Sequence, residues 1–161
     1  SRNAVTWIVF GAAAFVAGCG SHGSGVMTSR YAPTEKVETV FQKNRIPDSC
    51  RVFGQLMVTL PAQYTGNDFT DALTAEAKAQ GADMMLIGQS RQCTTESDLT
   101  FTYHDLDREY RMPDWPGWNF GLKEWEEQGE WCGIGYNEWG NSSVRYDYPL
   151  ILQAALVRCQ P

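Results

Sequence analysis

Residues 51–91 constrain the fold more than any other stretch, because they read as strand, helix and strand in that order. Arg51–Leu60 (RVFGQLMVTL) is short, rich in β-branched and aromatic side chains, and stopped by Pro61, which cannot donate to a sheet ladder. Val52, Leu56 and Val58 share one parity, with Phe53 and Met57 on the other. Tyr64-Thr65-Gly66-Asn67 is a turn, and Asn67 or Asp68 is expected to cap the helix that follows. Phe69, Leu73 and Ala77 recur every four residues, with Ala72 beside them, on the face a helix lays against a sheet. Gly81 closes that helix as a left-handed C-cap. Met84-Met85-Leu86-Ile87-Gly88 is apolar on both parities, the pattern of a central strand covered on both faces. Two parallel strands joined by a crossover helix, with a right-handed connection, follow.

A third strand is expected over residues 148–158 (YPLILQAALVR). Residues 36–43 place Val37, Val40 and Phe41 at a spacing that suits a short amphipathic helix or a docking strand, ended by Ile46-Pro47-Asp48. Residues 94–147 differ in composition. They hold Trp115, Trp118, Trp125, Trp131 and Trp139, five of the six tryptophans, and the acids Glu124, Glu126, Glu127, Glu130 and Glu138. Residues 99–103 suit one more strand. The remainder reads as a long ordered insertion, because disordered segments are poor in aromatics.

The chain opens with Arg2 and an apolar run over residues 4–15, which gives out into Gly20-Ser21-His22-Gly23-Ser24-Gly25. That is a secretory signal rather than a membrane span, which needs about 20 apolar residues. Val16-Ala17-Gly18-Cys19 resembles the lipobox of bacterial lipoproteins. The resemblance implies alkylation of Cys19 with diacylglycerol, cleavage before it, and acylation of the new amine with a palmitate-type chain. Gly20 lacks the aspartate that favours the inner membrane in that family, which implies the outer membrane. Residues 1–18 are then a signal peptide. Residues 19–49 are a lipidated cysteine and leash with a short amphipathic segment, the Gly-, Ser- and Thr-rich stretch being residues 20–35. Residues 50–161 are one domain.

With Cys19 spent on lipid, Cys50, Cys93, Cys132 and Cys159 remain, an even number that reads as two disulfides in an exported domain. Zinc is the competing use, but no Cys-x-x-Cys pair is present. If the last strand runs antiparallel to the first two, Cys159 ends beside Cys50. Cys93 then lies at the opposite end, where Cys132 can pin the insertion. The expected bonds are therefore Cys50–Cys159 and Cys93–Cys132. The expected class is α+β: a small mixed sheet with a strand–helix–strand crossover, the aromatic insertion, a C-terminal strand and two disulfides.

Arg51-Val52-Phe53-Gly54-Gln55-Leu56, the Ala-rich helix, Gly81-Ala82-Asp83 and Met85-Leu86-Ile87 resemble the core of a known group. It is the small α/β domain of the stress-sensing outer-membrane lipoprotein of the Rcs phosphorelay and related lipoproteins. The resemblance spans about residues 50–93 and 148–159 and implies a lipid anchor, a polar leash and a disulfide-bonded α/β domain. The Trp-rich insertion departs from that pattern.

The net charge of −6 argues against nucleic acid, whose phosphates need a basic face. Of two histidines, His104 alone falls in the folded part. Tyr103-His104-Asp105 could orient an imidazole, but no nucleophile motif accompanies it. Glu124, Glu127, Glu130 and Glu138 beside tryptophans could form a sugar-cleaving pair, although such a cluster also suits a solvated face. No Asp-x-Asp-x-Asp-Gly loop marks a calcium site. No cofactor, metal or catalytic residue is therefore expected. Tryptophan and tyrosine supply rigid contact area, so Trp115, Trp118, Trp125, Trp131 and Trp139 are candidate binding residues, against a mini-core as their other use. The expectation is a non-enzymatic outer-membrane lipoprotein, anchored through Cys19 and serving as a structural or accessory subunit of a large envelope assembly. A glycan- or peptidoglycan-binding module and an envelope stress sensor are the alternatives.

Overall fold

A computed structural model describes residues 31–161; the apolar run, the Val16–Cys19 motif and the stretch up to residue 30 lie outside the described residues. The architecture is a mixed sheet with few helices. Its strands are β1 (Glu38–Val40), β2 (Arg51–Leu60), β3 (Met84–Gln92), β4 (Thr100–His104), β5 (Tyr110–Arg111), β6 (Trp131–Cys132) and β7 (Leu150–Arg158). The order is β1-β3-β7-β2-β4, with β5 also on β2 and β6 also on β3. Both β2 and β3 run antiparallel to β7, hence parallel to each other as a crossover requires, but β7 lies between them. Eight of the nine β7 residues are buried, as befits a strand with neighbours on both sides and cover on both faces. The segment over residues 36–43 resolves as strand β1, parallel to β3.

Helix α1 (Gly66–Ala79) connects β2 to β3. Its cap is Thr65, not Asn67 or Asp68. The Thr65 hydroxyl accepts from the Asp68 N–H and the Asp68 carboxylate accepts from the Thr65 N–H, a reciprocal capping box. Gly66 is required at the first helical position, since a Cβ there would sit 2.0 Å from the Glu138 carbonyl oxygen and 2.6 Å from that of Asn141. Gly81 follows the helix at φ +85°, the left-handed geometry expected of it. Phe69, Leu73 and Ala77 are buried on the sheet. Burying the first two contributes about 1.5–3 kcal/mol each.

The sheet buries a different cluster on each face. Leu56, Val58, Leu60, Met85, Ile87, Leu152, Ala154 and Leu156 meet α1 on one face. On the other, Val52, Met57, Met84, Leu86, Ile151, Ala155 and Val157 meet the insertion through Met112, Trp115, Phe120 and Trp125. A register shift between Val52 and Gly54 puts Val52 on the insertion side while Leu56 and Val58 face α1. An extra residue at a bulge reverses side-chain parity, so the three do not share a face as their spacing predicts.

Among the described residues one disulfide is formed, Cys50–Cys159, at the shared end of β2 and β7. The expected Cys93–Cys132 bond is absent: Cys132 is a free thiol. The register explains this. Strand β6 sets Cys132 opposite Ser90, three residues short of Cys93, or about 10 Å along the strand, beyond the roughly 7 Å a disulfide spans. The expected leash also ends sooner than residue 35. Tyr31 packs edge-on to Phe53 at 5.0 Å, donates to Glu109 and lies under the Arg158 guanidinium, and the Thr34 N–H donates to the Lys78 carbonyl. With β1 in the sheet and Val40 and Ile46 buried, the folded unit includes residues 31–49.

Candidate functional site

The insertion is built from β4, β5, α2 (Leu122–Glu126), β6 and the loops between them. Two buried glutamines of the sheet hold it down. Gln55 on β2 accepts from the Trp115 indole N–H at 3.0 Å. Gln153 on β7, wholly buried, donates to the Phe120 carbonyl at 3.0 Å. An amide side chain buried without a partner would cost about 1–3 kcal/mol, so these two strongly favour the closed insertion over a detached one. Neither was singled out from sequence. The signal was there: a polar residue within an otherwise apolar strand needs a partner from another layer.

The five tryptophans divide by environment. Trp115 is 3% exposed and packs edge-on to Trp118 at 5.1 Å, with the Lys43 ammonium 5.6 Å from its ring and bonded to its carbonyl. Trp118 is half-buried and lies against Gly88, where a Cβ would come within 2.8 Å of its ring. Trp125 is 6% exposed. These three are core for the second face of the sheet. Trp139 is half-buried between Phe41 and Phe69. Trp131 alone of the five is open, 59% exposed.

Trp131 is nonetheless held in place. Its ring lies 5.4 Å from that of Trp125 and 4.6 Å from the Arg91 guanidinium. Arg91 is itself locked, donating to the carbonyls of Gly129, Trp125 and Gln128 at 2.8, 2.6 and 2.9 Å. Arginine's planar fork of donors suits three convergent carbonyls, which lysine could not match. The result is a pre-set aromatic surface, and Glu130, the residue before Trp131, is exposed, as is Glu127. Tyr136 is also open, 66% exposed, with its ring 4.6 Å from Phe41.

The remaining candidates do not converge on one centre. His104 sits on β4 with its ring 5.6 Å from Phe120, and its Nε2 has no hydrogen-bond partner among the described residues. Burial lowers its pKa, and the nearby Glu124 carboxylate opposes that shift. Glu138 serves the loop, accepting from the Gly135 N–H at 2.9 Å. Burial pushes the Cys132 thiol up, with a contact to Ser90 acting the other way, so it is a poor nucleophile. Among the described residues no three His, Cys, Asp or Glu side chains are grouped to hold a metal ion. Cys19 lies outside those residues. No family model, curated protein or solved structure matches this chain.

Proposed function

We propose that the protein is a lipid-anchored, non-enzymatic protein of the outer membrane, a structural or accessory subunit that meets a partner protein through its insertion. The Val16-Ala17-Gly18-Cys19 motif behind an apolar run supports anchoring at Cys19. The Cys50–Cys159 disulfide suits an oxidising compartment. The binding half of the reading is carried by Trp131, an exposed indole that Arg91 holds rigid before any partner arrives. A side chain ordered in advance loses little entropy on binding, which is how aromatic residues become interface hot spots.

Two measurements test this. The protein extracted from its own membranes in mild detergent is expected to elute as a defined large complex, and Trp131→Ala to release it. A particle of one chain plus micelle would overturn the subunit role. Mass analysis of the N-terminal peptide is expected to find diacylglycerol in thioether linkage on Cys19. An alkylated Cys19 has no thiol left to pair, so recovery of a Cys19–Cys93 disulfide peptide would overturn the anchor. Glycan or peptidoglycan binding is the second reading, favoured by the exposed Trp131 indole and the exposed Glu130 that precedes it in the chain. Binding of muropeptides by the lone particle, lost in Trp131→Ala, would select it.

A further inference from the structure

Successive residues of a strand point to opposite faces of its sheet, and β6 divides its two side chains in this way. Trp131 meets Trp125 on the insertion side, whereas Cys132 packs with the cluster on the α1 side. A second aromatic surface lies on that α1 side, apart from the Trp131 contact. Tyr136, 66% exposed, stands edge-on to Phe41 at 4.6 Å, and Phe41 meets Trp139 at 5.8 Å. Trp139 and Tyr146 both lie against Phe69, at 5.9 and 6.1 Å, and Tyr146 is 6.0 Å from Tyr148. Phe69 is wholly buried, so the row is rooted in the core while Trp139, Tyr146 and Tyr148 stay half-buried at its rim.

The charge around this row is mostly of one sign. From residue 130 to residue 148 the acids are Glu130, Glu138 and Asp147, and the only base is Arg145, 3.7 Å from Asp147. Glu138 is held by the Gly135 N–H at 2.9 Å, which takes one of about four acceptor positions on a carboxylate. The Tyr146 hydroxyl donates to the Gly133 carbonyl at 3.2 Å, which fixes that ring as well. Burial pushes the Tyr146 pKa up to about 12, and Glu138 adds to the shift. Tyr148 is raised by burial first, then by Cys132, Glu130 and Asp147. The three carboxylates therefore act directly on the two phenols.

We propose that the face carrying Tyr136, Trp139, Tyr146 and Tyr148 docks a lysine- or arginine-bearing segment of a partner protein. Ring faces attract an ammonium or guanidinium group, and carboxylates beside them add charge-assisted hydrogen bonds. The same carboxylates repel phosphates and anionic headgroups. Rings already held in place lose little entropy when a chain lies across them. This surface goes beyond the Trp131 contact and stands without it. With both in use, one chain holds a partner on each side of its sheet.

The test is calorimetric titration of the full chain in mild detergent with a synthetic peptide of alternating lysine and glycine, about ten residues long. Tyr136→Leu keeps apolar area but removes the ring, and Glu138→Gln keeps an acceptor for the Gly135 N–H but removes the charge. Each is expected to weaken binding about threefold, and the double variant about tenfold. Glu35 lies with Asp83 and Arg158, at the end of β7 far from Tyr148. Glu35→Gln and Trp131→Ala are expected to leave binding within about twofold of the native protein. Absence of binding would overturn the assignment. So would equal weakening by Glu35→Gln, which would mean attraction to net charge alone. Equal binding of a serine–glycine peptide would overturn it too, and would give the face to a neutral ligand such as a glycan.

Discussion

His104 shows what a single side chain contributes here. Its imidazole is partly buried on β4 beside Phe120, and desolvation keeps its pKa below the usual histidine value despite Glu124. The unfolded chain therefore takes up a proton at higher pH than the folded chain. The stability that neutral His104 contributes is complete above about pH 6.5 and is lost as pH falls through the lower folded-state value. The urea midpoint is expected to drop between about pH 7 and about pH 5, and less steeply in His104→Gln. Equal slopes in the two proteins would place the titration on another group. The sequence singled out His104 but not its burial, which depends on Phe120 arriving from the insertion. Gln55 and Gln153 were harder still to see, because their partners, Trp115 and Phe120, lie 60 and 33 residues away.

At the scale of the element, α1 was legible because a helix advertises itself locally. Phe69, Leu73 and Ala77 mark its buried face, and Gly81 marks its end. Its start reads two or three residues late, at Asn67 or Asp68, since the acid that completes the Thr65 box is itself a residue type that caps helices. Thr65→Ala is expected to lower stability by about 1 kcal/mol in urea unfolding, with Thr65→Ser close to the native protein. A loss near zero would mean that packing at Gly66 alone sets the helix start. Strand β2 was legible as a strand but not in its facing. The bulge before Gly54 sends Val52 to the insertion side, and alternation read from a sequence cannot register an extra residue.

For the whole molecule, the Cys50–Cys159 bond joins residues 109 apart, next to where Asp83 accepts from the Cys159 N–H and Cys50 from the Met112 N–H. Closing so long a loop contributes up to about 4.7 kcal/mol in the chain-entropy model. The Cys50→Ser/Cys159→Ser double variant is expected to unfold at lower urea, with a loss of about 2–5 kcal/mol. A midpoint unchanged within error would show that the sheet holds these ends together unaided. This pairing could be inferred from sequence because it needs only strand directions, and antiparallel β2 and β7 bring their opposite termini together. The Cys93–Cys132 pairing could not, because it depends on the register of β6, two residues long and set by the insertion as a whole. The sequence by itself determined the strand–helix–strand core, the last strand and the presence of an ordered aromatic insertion, all of which follow from local periodicity, stops and composition. Only the tertiary structure decided that β7 lies between β2 and β3, that the insertion closes the second face of the sheet, and that Trp131 rather than Trp115 or Trp125 stays open. Those outcomes depend on which apolar surfaces meet across dozens of residues, and burial is a property of that meeting rather than of any one segment.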